Sequence, residues 1–282
     1  MTHTLLVPAC RLVLIVWIAI CFNHSPASAA PDPDLWPRWE AHAEESHVVV
    51  DHTAWDLILK KYLVTHHPTG INRFRYRAVL PADRQNLQDY LSYLQQIKTS
   101  SLNRQEQKAY WINLYNAQTV QVILDHYPVK SIMDIDISPG LFANGPWDAK
   151  LLTIEGEQVS LNDIEHRILR PIFHDNRLHY ALNCASLGCP DLQGGAYTAT
   201  NTEALLNTAA RTFVNSARGA RMENGRLYVS SIYKWFQVDF GGSEEAVVQH
   251  LRQYAEDGLT KVLQTYKDGV SDDYDWRLNS SE

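Results

Sequence analysis

Residues 109–117 read Ala109-Tyr110-Trp111-Ile112-Asn113-Leu114-Tyr115-Asn116-Ala117. The stretch is apolar on nearly every side of a helix. A helix with no polar face belongs at the centre of a domain rather than on its surface. Working outward, the same pattern extends from Asn103 to about His126, and Pro128 ends it. Asn113 and Asn116 lie one turn apart on this helix and point in similar directions. Buried amides need partners, because an unsatisfied polar group costs about 1–3 kcal/mol. These two are expected either to bond loop backbone and fix the core, or to orient a catalytic histidine or bind substrate.

The flanking sequence alternates helix and strand signals. Upstream, short amphipathic helices are predicted near 37–45 and 53–65, with a break at His66-His67-Pro68-Thr69-Gly70. Arg73 to Val79 alternates charged and apolar residues, a strand signal of period two. Pro81-Ala82-Asp83 opens a helix through about Ile97. Downstream, 149–154 and 158–159 read as a hairpin turning at Glu155-Gly156-Glu157. Ser160 caps a helix over 161–169 that Pro171 is expected to stop. Arg177 to Asn183 reads as a buried strand, 202–217 as a helix, and 221–229 as a hairpin turning at Asn224-Gly225. Helical segments near 232–236, 244–251 and 259–266 follow. The fold class expected is α+β: a mostly helical single domain around a small mixed or antiparallel sheet, with a papain-like arrangement of permuted order as one form it can take.

The 282-residue chain carries a formal net charge of −7, and its Lys and Arg are not clustered. There is no electrostatic case for nucleic-acid binding. Arg11 precedes the apolar run 12–22, and Ala27-Ser28-Ala29 follows with small residues at the outer positions. Charge, apolar run and small residues come in the order of a secretory signal peptide, assigned to 1–29. An uncleaved anchor, or lipidation at Cys21, are the other readings of this segment. Export places the mature protein in the periplasm or outside the cell, with no membrane span after cleavage. Residues 30–72 are a linker and N-terminal helices, and 73–282 form the main domain. Partners expected are an unknown substrate or an envelope protein.

Several collinear segments resemble the domain of unknown function 547 family. They are 110–117, Ser160 to Arg170, His179 to Ser186 closed by Cys189-Pro190, Ser231 to Phe236, Asp239-Phe240-Gly241, and Tyr274 to Asn279. The resemblance implies a bacterial, exported protein. It implies no reaction.

Cleavage after residue 29 leaves Cys184 and Cys189 as the cysteines of the mature chain. In an oxidising compartment they are a possible disulfide. If free, Cys184 is the best candidate nucleophile, since it sits where the strand is expected to end on a short loop, with the N–H groups of Ala185 and Ser186 placed to hold an oxyanion. A cysteine acts as its thiolate and needs a base or a positive field. His166 is the preferred base and His179 the second. His179 lies roughly 16 Å from Cys184 along an extended strand. Either choice puts His before Cys in the chain, the reverse of papain-like order. Glu165 and Arg170 read as an internal ion pair or as catalytic and binding groups, and Ser186 as a binding group beside the thiol. His174, His179, Cys184 and Cys189 recur every five residues, but the spacing does not match usual zinc ligands, and neither metal nor cofactor is assigned. Two function classes stay open: a thiol-dependent hydrolase or transferase of the cell envelope, acting on an amide or ester, and a non-catalytic binding or assembly module.

Overall fold

A computed structural model describes residues 31–140 and 144–282; the signal-peptide assignment lies outside them. Helix α1 (Thr53–Tyr62) leads into β1 (Leu63–Val64), which pairs antiparallel with β2 (Arg73–Phe74). Helices α2 (Pro81–Gln96) and α3 (Arg104–His126) follow. Strands β3 (Leu152–Ile154) and β4 (Glu157–Val159) form the predicted hairpin, and Glu155 and Gly156 both take positive φ at its turn. A π-helix (Asp163–Leu169) runs into α4 (Arg170–Phe173). After α5 (Thr202–Val214), β5 (Ala220–Glu223) and β6 (Arg226–Ser230) pair around Asn224-Gly225. Then come α6 (Ile232–Trp235), α7 (Glu244–Tyr254), α8 (Asp257–Thr265) and β7 (Ser271–Asp273), which lies parallel to β6. The architecture is α+β, with helices predominating over three small sheets. No helix among the described residues is long and apolar enough to cross a membrane.

Helix α3 sits at the centre, as its composition requires. From Glu106 to Leu124 every residue is buried. The Asn103 side chain caps it by accepting from the Glu106 N–H at 2.9 Å. Tyr110 and Trp111 each remove roughly 150–250 Å² from water, and Trp39 packs edge-on against Trp111. A second apolar cluster forms from α5, β5, β6, α6 and α7, with Phe213, Leu227, Tyr233 and Leu251 inside it.

Four predicted elements differ. Near 37–45 there is only a 3₁₀ turn, Pro37–Glu40. The strand expected over 73–79 stops at Phe74, because the next residues turn into a 3₁₀ segment, Tyr76–Ala78, that carries Tyr76 inward to donate to Asn279 Oδ1 at 2.8 Å. The strand expected over 177–183 is instead a 3₁₀ helix, Asn176–Tyr180. Asp175 Oδ1 accepts from the Arg177 N–H at 3.0 Å and starts that turn. Leu178 through Asn183 are all buried, so the sequence there has no polar face from which a period can be read.

The helix predicted to stop at Pro171 runs through it to Phe173. Ser160 does begin it: its hydroxyl accepts from the Asp163 N–H at 3.1 Å, and Asp163 Oδ2 accepts from the Ser160 N–H at 2.8 Å. Pro171 has no N–H to give to the carbonyls four and five residues earlier, those of Arg167 and His166. Those carbonyls accept from elsewhere. The Asp34 N–H donates to His166 O and the Trp36 N–H to Arg167 O, each at 3.0 Å. The N-terminal segment expected to be a linker is thus a strap, extended so that alternate N–H groups face the π-helix.

Candidate functional site

The loop 181–190 is held from three directions. From α3, Asn116 spans its first turn: Nδ2 donates to Ala181 O at 2.9 Å and Oδ1 accepts from the Asn183 N–H at 2.8 Å. Within the loop, Asn183 Oδ1 accepts from the Ala185 N–H at 2.9 Å while its Nδ2 donates to Pro190 O at 2.8 Å. From the C-terminal segment, the Asn279 N–H donates to Ala185 O at 2.9 Å, and the Leu187 and Gly188 N–H groups donate to Arg277 O and Asp275 O, both at 2.8 Å. Ala185 is held at φ +60°, a left-handed conformation that a non-glycine residue adopts only when its surroundings impose it.

This frame fixes Cys184, which is a half-buried free thiol, as Cys189 is a buried one. Cys184 Sγ lies 3.2 Å from Ser186 Oγ and 3.0 Å from the Tyr274 hydroxyl, and those two oxygens are 2.8 Å apart. The Cys184 N–H donates to Cys189 Sγ at 3.0 Å. Hydrogen bonds from Cys189, then from Ser186 and Tyr274, outweigh burial and draw the Cys184 thiol down to about 7. Burial pushes the Cys189 thiol well up. A chain of rings flanks the sulfur: Tyr274 packs on Trp235 and Trp276 at 4.8 and 4.6 Å between centroids, and Trp276 meets Trp147 at 5.9 Å. All four rings are partly exposed, so a semi-apolar wall stands beside the thiol.

Neither histidine expected to serve as base meets Cys184. Among the described residues no histidine hydrogen-bonds its sulfur; His166 and His179 belong to a second polar cluster built on the π-helix. His179 is clasped between carboxylates, with Nε2 2.7 Å from Asp239 Oδ2 and Nδ1 3.6 Å from Glu165 Oε1. Burial opposes its charge, but the two carboxylates raise its pKa. The Arg170 Nε–H donates to Asp239 Oδ2 at 2.6 Å, and Arg170 Nη1 lies 3.0 Å from His166 Nδ1. Burial lowers the His166 pKa, which leaves a neutral ring whose Nδ1 accepts from Arg170. Burial alone would raise Glu165 and Asp239; the cations around them hold both at about 2. Phe236 stacks on His179 at 4.1 Å and carries the Arg170 guanidinium at 5.0 Å. Glu165 and Arg170 are thus both ion-paired, though not to each other.

The reason for the separation lies on α3. Tyr115 donates to Glu165 Oε2 at 3.2 Å, whereas its neighbour Asn116 holds the cysteine loop. Adjacent helical residues point about 100° apart, so one helix serves two clusters on different sides. Asn113 reaches neither: its amide exchanges both bonds with the backbone of Tyr197, at 2.7 and 3.0 Å. Both asparagines take the core-fixing role and orient no histidine.

Of the two oxyanion donors expected from the loop backbone, the Ala185 N–H is committed to Asn183 Oδ1. The Ser186 N–H lies on the side of the Cys184 sulfur, where it favours the thiolate. His174 is exposed and the His179 nitrogens face carboxylates, so the five-residue recurrence does not gather around the cysteines. Among the described residues no group of three or more His, Cys, Asp or Glu is placed to hold a metal ion.

Tyr274 and Asp239 are the functional neighbours that site reasoning from sequence missed. Both stand inside motifs that carried the family resemblance, which was the signal available. Residues 99–214 match the family model described as "Protein of unknown function, DUF547". No curated protein and no solved structure matches the chain. The matched segment holds α3, the cysteine loop and the π-helix, and stops short of Asp239 and Tyr274.

Proposed function

We propose that this chain, whose residues 99–214 belong to the DUF547 family, is an exported thiol-dependent hydrolase or transferase that acts through Cys184 on an ester or amide of the cell envelope. The observation that carries this reading is the half-buried thiol with a pKa of about 7, set on a rigid loop against two hydroxyls. A thiol lowered in this way ionises closer to neutral pH than a free cysteine, without help from an imidazole. The thiolate attacks the acyl carbon, forming a C–S bond as the carbonyl π electrons move to oxygen. With the Ala185 N–H occupied, the donors left to that oxygen are the Ser186 N–H and the Ser186 and Tyr274 hydroxyls. Collapse breaks the bond to the leaving group, which departs as alcohol or amine by taking a proton from solvent. Water or a second acceptor then attacks the thioester, loses its proton to solvent and releases the Cys184 thiolate. An ester suits this site better than an amide, because an amine leaving group needs a strong proton donor and no histidine stands beside the sulfur. The ring wall gives the acyl chain an apolar surface. Export rests on the signal-like order of charge, apolar run and small residues in 1–29.

The test is acylation of the purified protein by an activated ester, followed by intact-mass detection of one acyl group. Acylation at Cys184 that disappears in Cys184→Ser supports the reading. A thiol that stays unmodified by both the ester and iodoacetamide at pH 8 overturns it. The absence of any histidine contact to Cys184 among the described residues favours a second reading, a non-catalytic binding or assembly module. In that case Cys184→Ala leaves cellular function intact.

A further inference from the structure

Cys189 carries no acyl group in that reaction, yet it lies directly against the nucleophile's own backbone. Its sulfur accepts from the Cys184 N–H at 3.0 Å and its thiol is aimed at Leu182 O at 3.5 Å. The residue is only 4 % exposed, whereas Cys184 is half-buried. The Cys184 amide nitrogen is thus already in contact with the second sulfur. The intervening residues are pinned by Asn183, Asn279, Arg277 and Asp275, so the loop holds the two cysteines near each other.

We propose that Cys184 and Cys189 form a thiol–disulfide couple in which Cys184 attacks and Cys189 resolves, and that closing it switches the Cys184 nucleophile off. The co-reactant is a small dialkyl disulfide such as glutathione disulfide. In the first step the Cys184 thiolate attacks one sulfur of that disulfide. A mixed disulfide forms on Cys184, the reagent's S–S bond breaks, and one small thiolate leaves. In the second step the Cys189 thiol gives up its proton to that thiolate or to solvent and attacks Cys184 Sγ. The Cys184–Cys189 bond forms as the mixed disulfide's S–S bond breaks, and the second small group leaves as its thiolate. Two protein thiols are oxidised and one small disulfide is reduced. An accessible, acidic attacking thiol beside a buried, high-pKa resolving thiol is the division of labour that such exchange requires. The closed form takes Cys184 Sγ away from Tyr274 and Ser186. This proposal rests on Cys184 being the reactive thiol, and not on the acyl chemistry.

The experiment equilibrates the purified protein with glutathione buffers of increasing oxidised fraction. Acid quenching, alkylation of free thiols and intact-mass measurement follow. The wild type is expected to lose both free thiols together and to carry no glutathione. Cys189→Ser and Cys189→Ala are expected to stop at the mixed disulfide on Cys184, and Cys184→Ser to remain unmodified, with circular dichroism confirming that each variant folds. Wild type that accumulates glutathionylated Cys184 to the same extent as Cys189→Ser overturns the resolving role while leaving the reactive thiol standing. Wild type that gains neither adduct nor disulfide in fully oxidised glutathione overturns both. Acylation by the activated ester should fall at least tenfold in the oxidised protein and return on reduction.

Discussion

The Tyr274 hydroxyl stands 3.0 Å from Cys184 Sγ across 90 residues of chain. A donor at that distance stabilises the thiolate more than the thiol, so it lowers the pKa. Tyr274→Phe removes the donor and keeps the ring packing on Trp235 and Trp276. The rate of alkylation by iodoacetamide should rise with pH around a midpoint near 7 in the wild type. In the variant the midpoint should move to visibly higher pH. An unchanged midpoint would remove Tyr274 from the site.

Asn116 offers a second measurement, of stability. Asn116→Ala leaves the Ala181 carbonyl and the Asn183 N–H buried without partners, at about 1–3 kcal/mol for each group. The expected loss in chemical denaturation is therefore roughly 2–6 kcal/mol, with iodoacetamide reacting at Cys184 over a broader pH range as the loop loosens. Asn116→Asp keeps the acceptor for Asn183, and at low pH, where the carboxyl is protonated, its O–H replaces the lost donor to Ala181, so it should be the milder of the two there. If both variants unfold at the wild-type denaturant concentration, Asn116 does not hold the loop.

How far this could be read from sequence follows from where each signal resides. Helix α3 was legible because all-round apolarity is local and nothing competes with it. The turns at 224–225 and 155–156 were legible because positive φ selects Asn224, Gly225 and Gly156. Leu178 to Asn183 was misread because alternation has meaning only when one face is wet. Cys184 and Ser186 were found as a pair, being neighbours in the chain. Their third partner, Tyr274, was not found, because pairing across 90 residues leaves no periodic trace. The histidines were assigned to the thiol from residue type alone, and chemistry without distance could not reveal that Asp239 and Glu165 already held His179.

The same clasp sets a pH dependence. Glu165 and Asp239 lie below their ordinary values of 4.5 and 3.8, so their stabilisation is fully present above about pH 4.5 and is lost as pH falls toward 2. Each carboxylate contributes roughly 2–3 kcal/mol to the folded state. His179 is raised above 6.5, so its contribution is fully present below that value and is lost as pH rises through its folded pKa. The cluster therefore stabilises most between about pH 4.5 and 6.5. His179→Phe leaves the Glu165 charge without its partner, a loss of about 3–5 kcal/mol. Thermal unfolding as a function of pH should show the wild-type melting temperature falling on both sides of this window, and the alkaline fall should be absent in the variant. An alkaline fall of equal size in both proteins would show that His179 is not its source.

The strap makes the sharpest distinction between a backbone effect and a side-chain effect. Asp34 contributes two things: an N–H donated to His166 O at 3.0 Å, and a carboxylate 3.4 Å from Arg167 Nε that is largely exposed. Exposed ion pairs contribute about 0–1 kcal/mol, so Asp34→Ala should change stability little. Asp34→Pro deletes the N–H while the strap still covers the π-helix. The His166 carbonyl is then left without a donor, because Pro171 cannot supply one, and the expected cost is about 1–3 kcal/mol. A second-site change tests the cause. Pro171→Ala restores an N–H within helical reach of His166 and Arg167, so the added cost of Asp34→Pro over Asp34→Ala should shrink in that background. Urea denaturation of the four combinations gives the coupling energy directly. A coupling near zero would mean that Pro171 and the strap are satisfied independently, and that the proline does not explain why the chain passes there.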